Sequence, residues 1–132
     1  MNISSIHPLS FEITGVPGLD PVRVFIQDLG LGQGRLIIEC YGQAWSSYWG
    51  GMGTGILQFI AEAEVDYIAN RIERNGPHSK RHEREYLYRI VAAVRQAVTM
   101  ILAVVAEPFG NRVLWSLPNI SDDPDPQNIT TP

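Results

Sequence analysis

The sequence predicts an α+β domain in which a three- to four-stranded antiparallel sheet packs against two helices. Two observations predict this fold. Apolar residues alternate with polar ones in short runs over the first 42 residues, and from residue 56 onwards they recur every three or four positions. The first period is typical of strands and the second of amphipathic helices. A sheet followed by helices is the order expected of the α+β class.

Three strands explain the alternating part. They are predicted at 10–14, 22–28 and 35–42, with inward side chains at Phe11, Ile13, Val22, Val24, Ile26, Leu36, Ile38 and Cys40. Pro17 and Gly18 suit a type II turn, because proline presets its own φ and glycine tolerates a positive one. A glycine-rich hairpin loop is predicted at 29–34. Such short connections imply a meander of sequential antiparallel strands.

Two helices explain the second period. The first is predicted over 56–72 and the second over about 80–106, each with one apolar stripe. Gly76 and Pro77 end the first helix, and Thr54 is its predicted N-cap. The segment 111–117 is a candidate fourth strand. We therefore predict a single compact domain over 1–117 and a flexible acidic tail over 118–132, which is rich in proline, asparagine and aspartate.

The composition and the apolar runs indicate the cellular compartment in which the protein acts. The chain has a formal net charge of −4 and one cysteine, Cys40, so it forms no internal disulfide. Its first residues show neither the basic nor the apolar region of a signal peptide. The longest apolar run, 97–106, is about half of a membrane span. We expect a protein of the cytoplasm that does not enter a membrane.

The stretch CYGQAWSSYWGGMGTG, residues 40–55, combines aromatic residues with glycines. Its glycines lack the lysine and the hydroxyl residue that a phosphate-binding loop requires, so a structural corner is favoured. Its aromatic residues share one face if the segment makes a helical turn, since they are spaced i, i+3, i+4. That face either plugs the end of the sheet or binds a partner. In the second case the partner-binding residues are Trp45, Tyr48, Trp49 and Met52, with a polar rim of Arg81 and Arg84.

Basic residues cluster where the two predicted helices meet. Six of the ten lie in this segment, namely Arg71, Arg74, Lys80, Arg81, Arg84 and Arg89. They could bind the phosphates of a nucleic acid. Glutamates are interleaved with them, however, and the negative net charge opposes general nucleic-acid affinity. A solvated helix start with weak ion pairs is the alternative.

Catalytic chemistry finds no support in the sequence. Cys40 shares a strand face with Leu36 and Ile38, so we expect a buried, inert thiol. Three histidines and one cysteine form no zinc pattern. We predict no enzyme activity, no metal site and no cofactor. The second helix is more apolar than a three-stranded sheet can cover, which makes a homodimer an open alternative.

Several short sequence motifs are distinctive: GLDP, the run G-x-G-x-(apolar)-x-IECYG, AW and YWG-x-MG. Together they resemble a group of small uncharacterised proteins encoded by tailed phages and prophages of Gram-negative bacteria, over about residues 10–95. The resemblance implies a phage origin and action in the cytoplasm of the infected host cell, and it implies no active site. In similar members the position of Thr54 is more often acidic, which also suits a helix cap.

These observations together predict a phage-encoded, non-enzymatic binding protein. We expect it to inhibit a host defence complex, as anti-CRISPR proteins do, through contact with a host protein complex. This choice of target rests on analogy with other small phage proteins. The alternative is a nucleic-acid-binding accessory protein of phage replication or recombination.

Overall fold

The computed structural model describes residues 1–73 and 80–105. Within these residues, four strands and three helices follow one another: β1 Leu9–Ile13, β2 Val22–Gly30, β3 Gln33–Cys40, β4 Gln43–Trp49, α1 Ile56–Glu62, α2 Val65–Glu73 and α3 Arg81–Val105. The strands form one sheet in the order β1-β2-β3-β4, and each pairs antiparallel with its sequence neighbour. The α+β class and the meander are confirmed.

One face of the sheet supplies half of the core. A single row crosses all four strands, since Phe11 pairs with Val24, Val24 with Ile38, and Ile38 with Trp45. The last three of these side chains are buried, and Phe11 packs against them. The predicted inward positions of β2 and β3 are confirmed, because every second side chain of a pleated strand points to the same face.

The fourth strand differs from the prediction. The aromatic spacing allows a helical turn at residues 43–49, whereas the structure has β4 there. In this strand Trp45, Ser47 and Trp49 alternate inward with a period of two. The candidate strand at 111–117, the acidic tail at 118–132 and Arg74 lie outside the described residues. The domain boundary at residue 117 therefore stays a prediction.

The first predicted helix is two helices, α1 and α2. The first ends at Glu62, and its C-cap Ala63 is extended (φ −69°, ψ 148°). The Glu64 carbonyl then accepts the first hydrogen bond of α2 from the Ile68 N–H. No glycine or proline causes this break. Helix α1 lies over β2 and β3 whereas α2 lies beside β4, so the break lets each follow the twisted sheet. Arg95 of α3 donates to the Ala61 carbonyl at 3.1 Å and so satisfies the end of α1.

Helix α3 confirms the second predicted helix almost to its ends. It packs against α1 and α2 and reaches β1. Its buried stripe consists of Leu87, Ile90, Val91, Val94, Val98 and Ile101. Among the described helices it is the one long and apolar enough to cross a membrane, a test that the core helix of a globular domain also passes. Its buried stripe from Leu87 to Val98 belongs to the same core as the sheet.

The predicted turn before β2 is confirmed. The Leu19 N–H donates to the Val16 carbonyl at 3.1 Å, and Gly18 has a φ of 72°. This geometry matches the type II turn expected of Pro17 and Gly18. The turn places Asp20 at the start of β2, beside the end of β3.

Candidate functional site

The aromatic residues of β4 do not share one exposed face. Trp45 and Trp49 point into the core and are 5% and 4% exposed, while Tyr48 points to the opposite face of the sheet and is 44% exposed. The predicted helical face is therefore wrong, because a strand puts residues i and i+4 together and residue i+3 opposite. Met52 is also buried. The exposed surface expected of Trp45, Trp49 and Met52 is corrected, and the plug interpretation holds for these three.

The buried Trp49 side chain is held in place by contacts with three neighbouring side chains. Its Nε1 donates to the Tyr67 hydroxyl at 3.0 Å, and its ring lies 5.3 Å from that of Phe59. The Arg71 guanidinium lies 5.7 Å from the Trp49 ring and donates to the Ser47 hydroxyl at 3.1 Å and the Tyr48 carbonyl at 2.9 Å. These contacts join β4 to α2.

The glycine-rich segments form a packed corner at the same end of the sheet. We call residues 30–34 and 50–55 the glycine corner. The Met52 N–H donates to the Gly32 carbonyl at 3.0 Å, and a Cβ on Gly34 would stand 2.7 Å from Ile56. The N-cap of α1 is Gly55, without a side-chain bond, so the predicted cap by Thr54 is wrong. The Thr54 hydroxyl donates to the Gly55 carbonyl instead.

The predicted basic residues are divided among separate structural contacts. Arg84 pairs with Glu73 at 3.2 Å, and Arg89 donates to the Pro17 carbonyl at 2.9 Å. Arg71 is held against Trp49, as described above. Lys80 and Arg81 are exposed at the start of α3, where Arg81 lies 3.8 Å from Glu85. The nucleic-acid role of these residues stays a prediction, and the described ones do not form one uniform basic face.

The other end of the sheet carries an open cleft, which is our candidate site. It lies between the first turns of α3, the connection from β1 to β2 and the hairpin of β3 and β4, and its volume is about 340 Å³. The lining residues are Asp20, Cys40, Tyr41, Gln43, Trp45, His82, Glu83 and Tyr86. Of the residues predicted to bind a partner, only Trp45 lines this cleft, and Arg81 is next to it in the chain.

A hydrogen-bond network forms the floor of the cleft. The Tyr86 hydroxyl donates to the Asp20 carboxylate at 2.7 Å and accepts from the Asp20 N–H at 2.9 Å. The Cys40 Sγ lies 3.8 Å from the Asp20 carbonyl and 3.9 Å from the Tyr86 hydroxyl. The three residues tie together the start of β2, the end of β3 and the first turns of α3.

Raised pKa values keep the Cys40 thiol and the Tyr86 hydroxyl of this network protonated. Burial raises the pKa of the Cys40 thiol, and the negative charges of Asp20 and Glu39 raise it further, against the lowering effect of the Tyr86 hydroxyl. Burial, with the bond to the Asp20 carboxylate, raises the pKa of Tyr86 to about 12. The thiol is thus protonated and buried, as the sequence predicted, which disfavours nucleophilic chemistry at Cys40.

Polar groups around the cleft leave one donor unsatisfied. The Trp45 Nε1 is buried and finds no acceptor in the part of the chain that the structure describes. The Glu83 carboxylate accepts from the Lys80 N–H at 2.9 Å, which caps the start of α3. Within residues 1–73 and 80–105, no three histidine, cysteine or acidic side chains converge as ligands of a metal ion.

Tyr41 stands at the rim of the cleft in an unusual backbone conformation. Together with Gly42 it forms the two-residue turn between β3 and β4, and both have positive φ, 52° and 79°. This is the pattern of a type I′ turn, in which asparagine or glycine normally stands at the first position. A left-handed conformation costs another L-residue roughly 1–2 kcal/mol. The Tyr41 side chain is nevertheless 83% exposed, so no packing of that ring offsets the cost.

The sequence does not predict this cleft. Tyr41 falls within a predicted strand, and no pattern indicates a site at Asp20, His82 or Glu83. A local signal for the turn existed, because Tyr41 and Gly42 separate two runs that both alternate with a period of two. No local signal joins Asp20 to Tyr86, which are 66 residues apart.

Comparison with known proteins gives one result. The sequence model of a phage family matches residues 1–81. No curated protein and no solved structure matches the chain. The matched range includes the whole sheet, α1 and α2, and five of the eight residues that line the cleft.

Proposed function

The chain belongs to this phage family, and we propose that it is a binding protein that inhibits a host defence complex through direct contact. The observation that carries the proposal is Tyr41, which is exposed and held in a costly backbone conformation beside an open cleft. Strain of this kind persists most often at sites of function. The proposal has no enzymatic step.

The surface around Tyr41 has the composition of a protein-binding site. Tyrosine and arginine are enriched among residues that dominate binding energy. Arg81 adjoins the cleft residue His82, and its side chain is 94% exposed. Arg84, the other predicted rim residue, keeps about half of its side chain exposed beside Glu73. Tyr41 thus replaces the buried Trp45, Trp49 and Met52 as the proposed anchor, with Arg81 and Arg84 retained as the rim. Tyr48, the fourth predicted anchor, is exposed on the opposite face of the sheet, so it lies outside the proposed surface.

The nature of the target rests on analogy. Small phage proteins often act as stoichiometric inhibitors of host machines, and CRISPR effectors are one such target. Fold and family give no mechanism by themselves, so the target has to be identified by its capture. The nucleic-acid alternative relies on Lys80, Arg81 and the half-exposed Arg84, since Arg71 and Arg89 make contacts within the fold.

Affinity capture from a bacterial host lysate, with nuclease and mass spectrometry, tests the proposal. We expect one host complex to be recovered with nuclease present, and Tyr41→Asn to lower its recovery at least about tenfold, as the loss of a hot-spot side chain does. Tyr48→Thr is the matched control, because Tyr48 is an exposed tyrosine on the opposite sheet face. Full recovery with Tyr41→Asn would refute the proposed anchor, and loss of all partners after nuclease would favour the nucleic-acid alternative.

Inhibition is measured separately from binding. Phage plating is compared on paired hosts with and without a CRISPR system, each expressing the protein. The proposal predicts higher plating on the defended host alone, and a smaller rise with Tyr41→Asn. Equal plating with and without the protein on the defended host would show that CRISPR is not the complex inhibited.

A further inference from the structure

We infer that the cleft binds a lysine or arginine side chain of the partner protein. The inference rests on the proposed function and specifies which chemistry the site recognises. It follows from the charge of the cleft and from its aromatic lining, which are independent observations.

The cleft is lined by negatively charged side chains. Among the described residues its lining includes two carboxylates, Asp20 and Glu83, and neither a lysine nor an arginine. Their formal charge is −2, with histidine counted as neutral. One oxygen of Asp20 accepts from Tyr86, and its other oxygen makes no hydrogen bond within the described residues. Arg81, beside the cleft, lies 3.8 Å from Glu85 and is not a lining residue, so the two carboxylates set the charge inside the cleft and attract a cation.

The aromatic lining favours the same occupant. Trp45, Tyr86 and Tyr41 all line the cleft, and aromatic rings attract ammonium and guanidinium groups through their negative faces. A volume of about 340 Å³ suits one long side chain with its backbone, at the small end of ligand-binding pockets. The apolar stem of lysine or arginine suits the aromatic walls, while its charged end suits the carboxylates.

The Trp45 indole forms a rigid part of the cleft wall. Trp45 is only 5% exposed, and its Nε1 is fully enclosed, with no acceptor among the described residues. An occupant of the cleft therefore contacts the ring of Trp45 and not its N–H, and its charged end is left to the carboxylates.

The test is an NMR titration of the full ¹⁵N-labelled chain at low ionic strength. The probes are the peptides acetyl-Gly-Lys-Gly-amide and acetyl-Gly-Arg-Gly-amide, with acetyl-Gly-Gln-Gly-amide as the neutral control. The Trp45 indole N–H reports on the cleft. The Trp49 indole N–H is the internal reference, because it is bonded to Tyr67 in the core at the far end of β4.

We expect a cationic peptide to shift the Trp45 signal in a saturable way and the glutamine peptide to cause no saturable shift. Asp20→Asn should weaken binding about tenfold, the loss typical of one charge-assisted hydrogen bond, while the amide still accepts from Tyr86. Glu83→Gln provides a second variant that retains the acceptor for the Lys80 N–H. The matched control is Glu12→Gln, an equal change of charge at Glu12, which pairs with Arg23 on the outer sheet face.

Equal shifts with the glutamine peptide, or unchanged binding after both Asp20→Asn and Glu83→Gln, would overturn the inference. Its failure is distinguishable from failure of the proposed function. If cationic peptides do not bind but Tyr41→Asn still abolishes capture of the host complex, only the inference is wrong. If the peptides bind but Tyr41→Asn leaves capture intact, the proposed anchor is wrong and the cleft still recognises cations.

Discussion

The two ends of the sheet use left-handed backbone in opposite ways. In the glycine corner, Gly32 has a φ of 72° and lies so close to Met52 that a Cβ would stand 2.7 Å from its carbonyl oxygen. At the turn beside the cleft, a tyrosine takes the left-handed conformation and its side chain is exposed to solvent. In the glycine corner, close packing explains why the residue is a glycine. At the cleft, no packing explains the left-handed tyrosine, so Tyr41 is the better indicator of function.

The largest effect is expected at Gly32. Gly32→Ala should lower the free energy of unfolding by about 2–4 kcal/mol, because it combines a left-handed alanine with a backbone clash. Urea denaturation measures it. Gly53→Ala is the control within the same corner, since a Cβ there meets nothing within 4 Å and should change stability by less than about 0.5 kcal/mol. Equal effects of the two substitutions would mean that the corner is not tightly packed.

Arg71 holds the corner end of β4 to α2. Arg71→Lys keeps the charge but loses the planar fork that reaches Ser47 and the Tyr48 carbonyl. We expect a loss of about 1–3 kcal/mol in thermal or urea unfolding. Arg81→Lys, at an exposed position, should change stability by less than about 0.5 kcal/mol. An unchanged stability with Arg71→Lys would return Arg71 to the set of cations available for a nucleic acid.

Tyr86 connects the cleft end to α3. Tyr86→Phe removes the bond to Asp20 and should cost about 1 kcal/mol at pH 7. Its pKa is raised from 10.0 to about 12 in the fold, so the stability due to its protonated hydroxyl is complete below pH 10 and is lost as the pH rises towards 12. The stability difference between the wild type and Tyr86→Phe should therefore narrow over that range. Urea denaturation at several pH values measures the difference, and a constant difference would contradict the raised pKa.

The smallest effect is a gain at Tyr41. Tyr41→Asn should raise the free energy of unfolding by about 0.5–1 kcal/mol, because asparagine adopts the left-handed conformation at lower cost. A substitution that stabilises the fold while it lowers capture of a partner would separate function from stability. If Tyr41→Asn instead destabilises the protein, the ring supports the fold, and the contrast between the two ends disappears.

The sequence predicted the parts of the fold that have a local cause. Alternation identified β2 and β3 and their inward residues, and the period of α3 identified its buried stripe. It misassigned β4 because residues i and i+4 share a face in a strand as well as in a helix. Trp45 and Trp49 fit both patterns, and Ser47 between them is the residue that decides for the strand.

The cleft could not be predicted in the same way. Its residues come from three places in the chain, near 20, 40–45 and 82–86, which only the topology brings together. The break between α1 and α2 is a second feature that the sequence did not predict. It falls at Ala63 and Glu64, and neither residue type is typical of a helix end. Both features depend on how helices pack on a twisted sheet, which the pattern of single segments does not record.

The meander also affects how the chain folds during synthesis. Each described strand pairs with the one before it, so the hairpins can close with short loops and little loss of chain entropy. The last described strand of the sheet ends at residue 49, whereas α3 ends at residue 105. At about 5–20 residues per second, roughly 3 to 11 seconds separate these two points on the ribosome. During that interval the apolar face of the sheet is only partly covered, which exposes the nascent chain to aggregation and to chaperones.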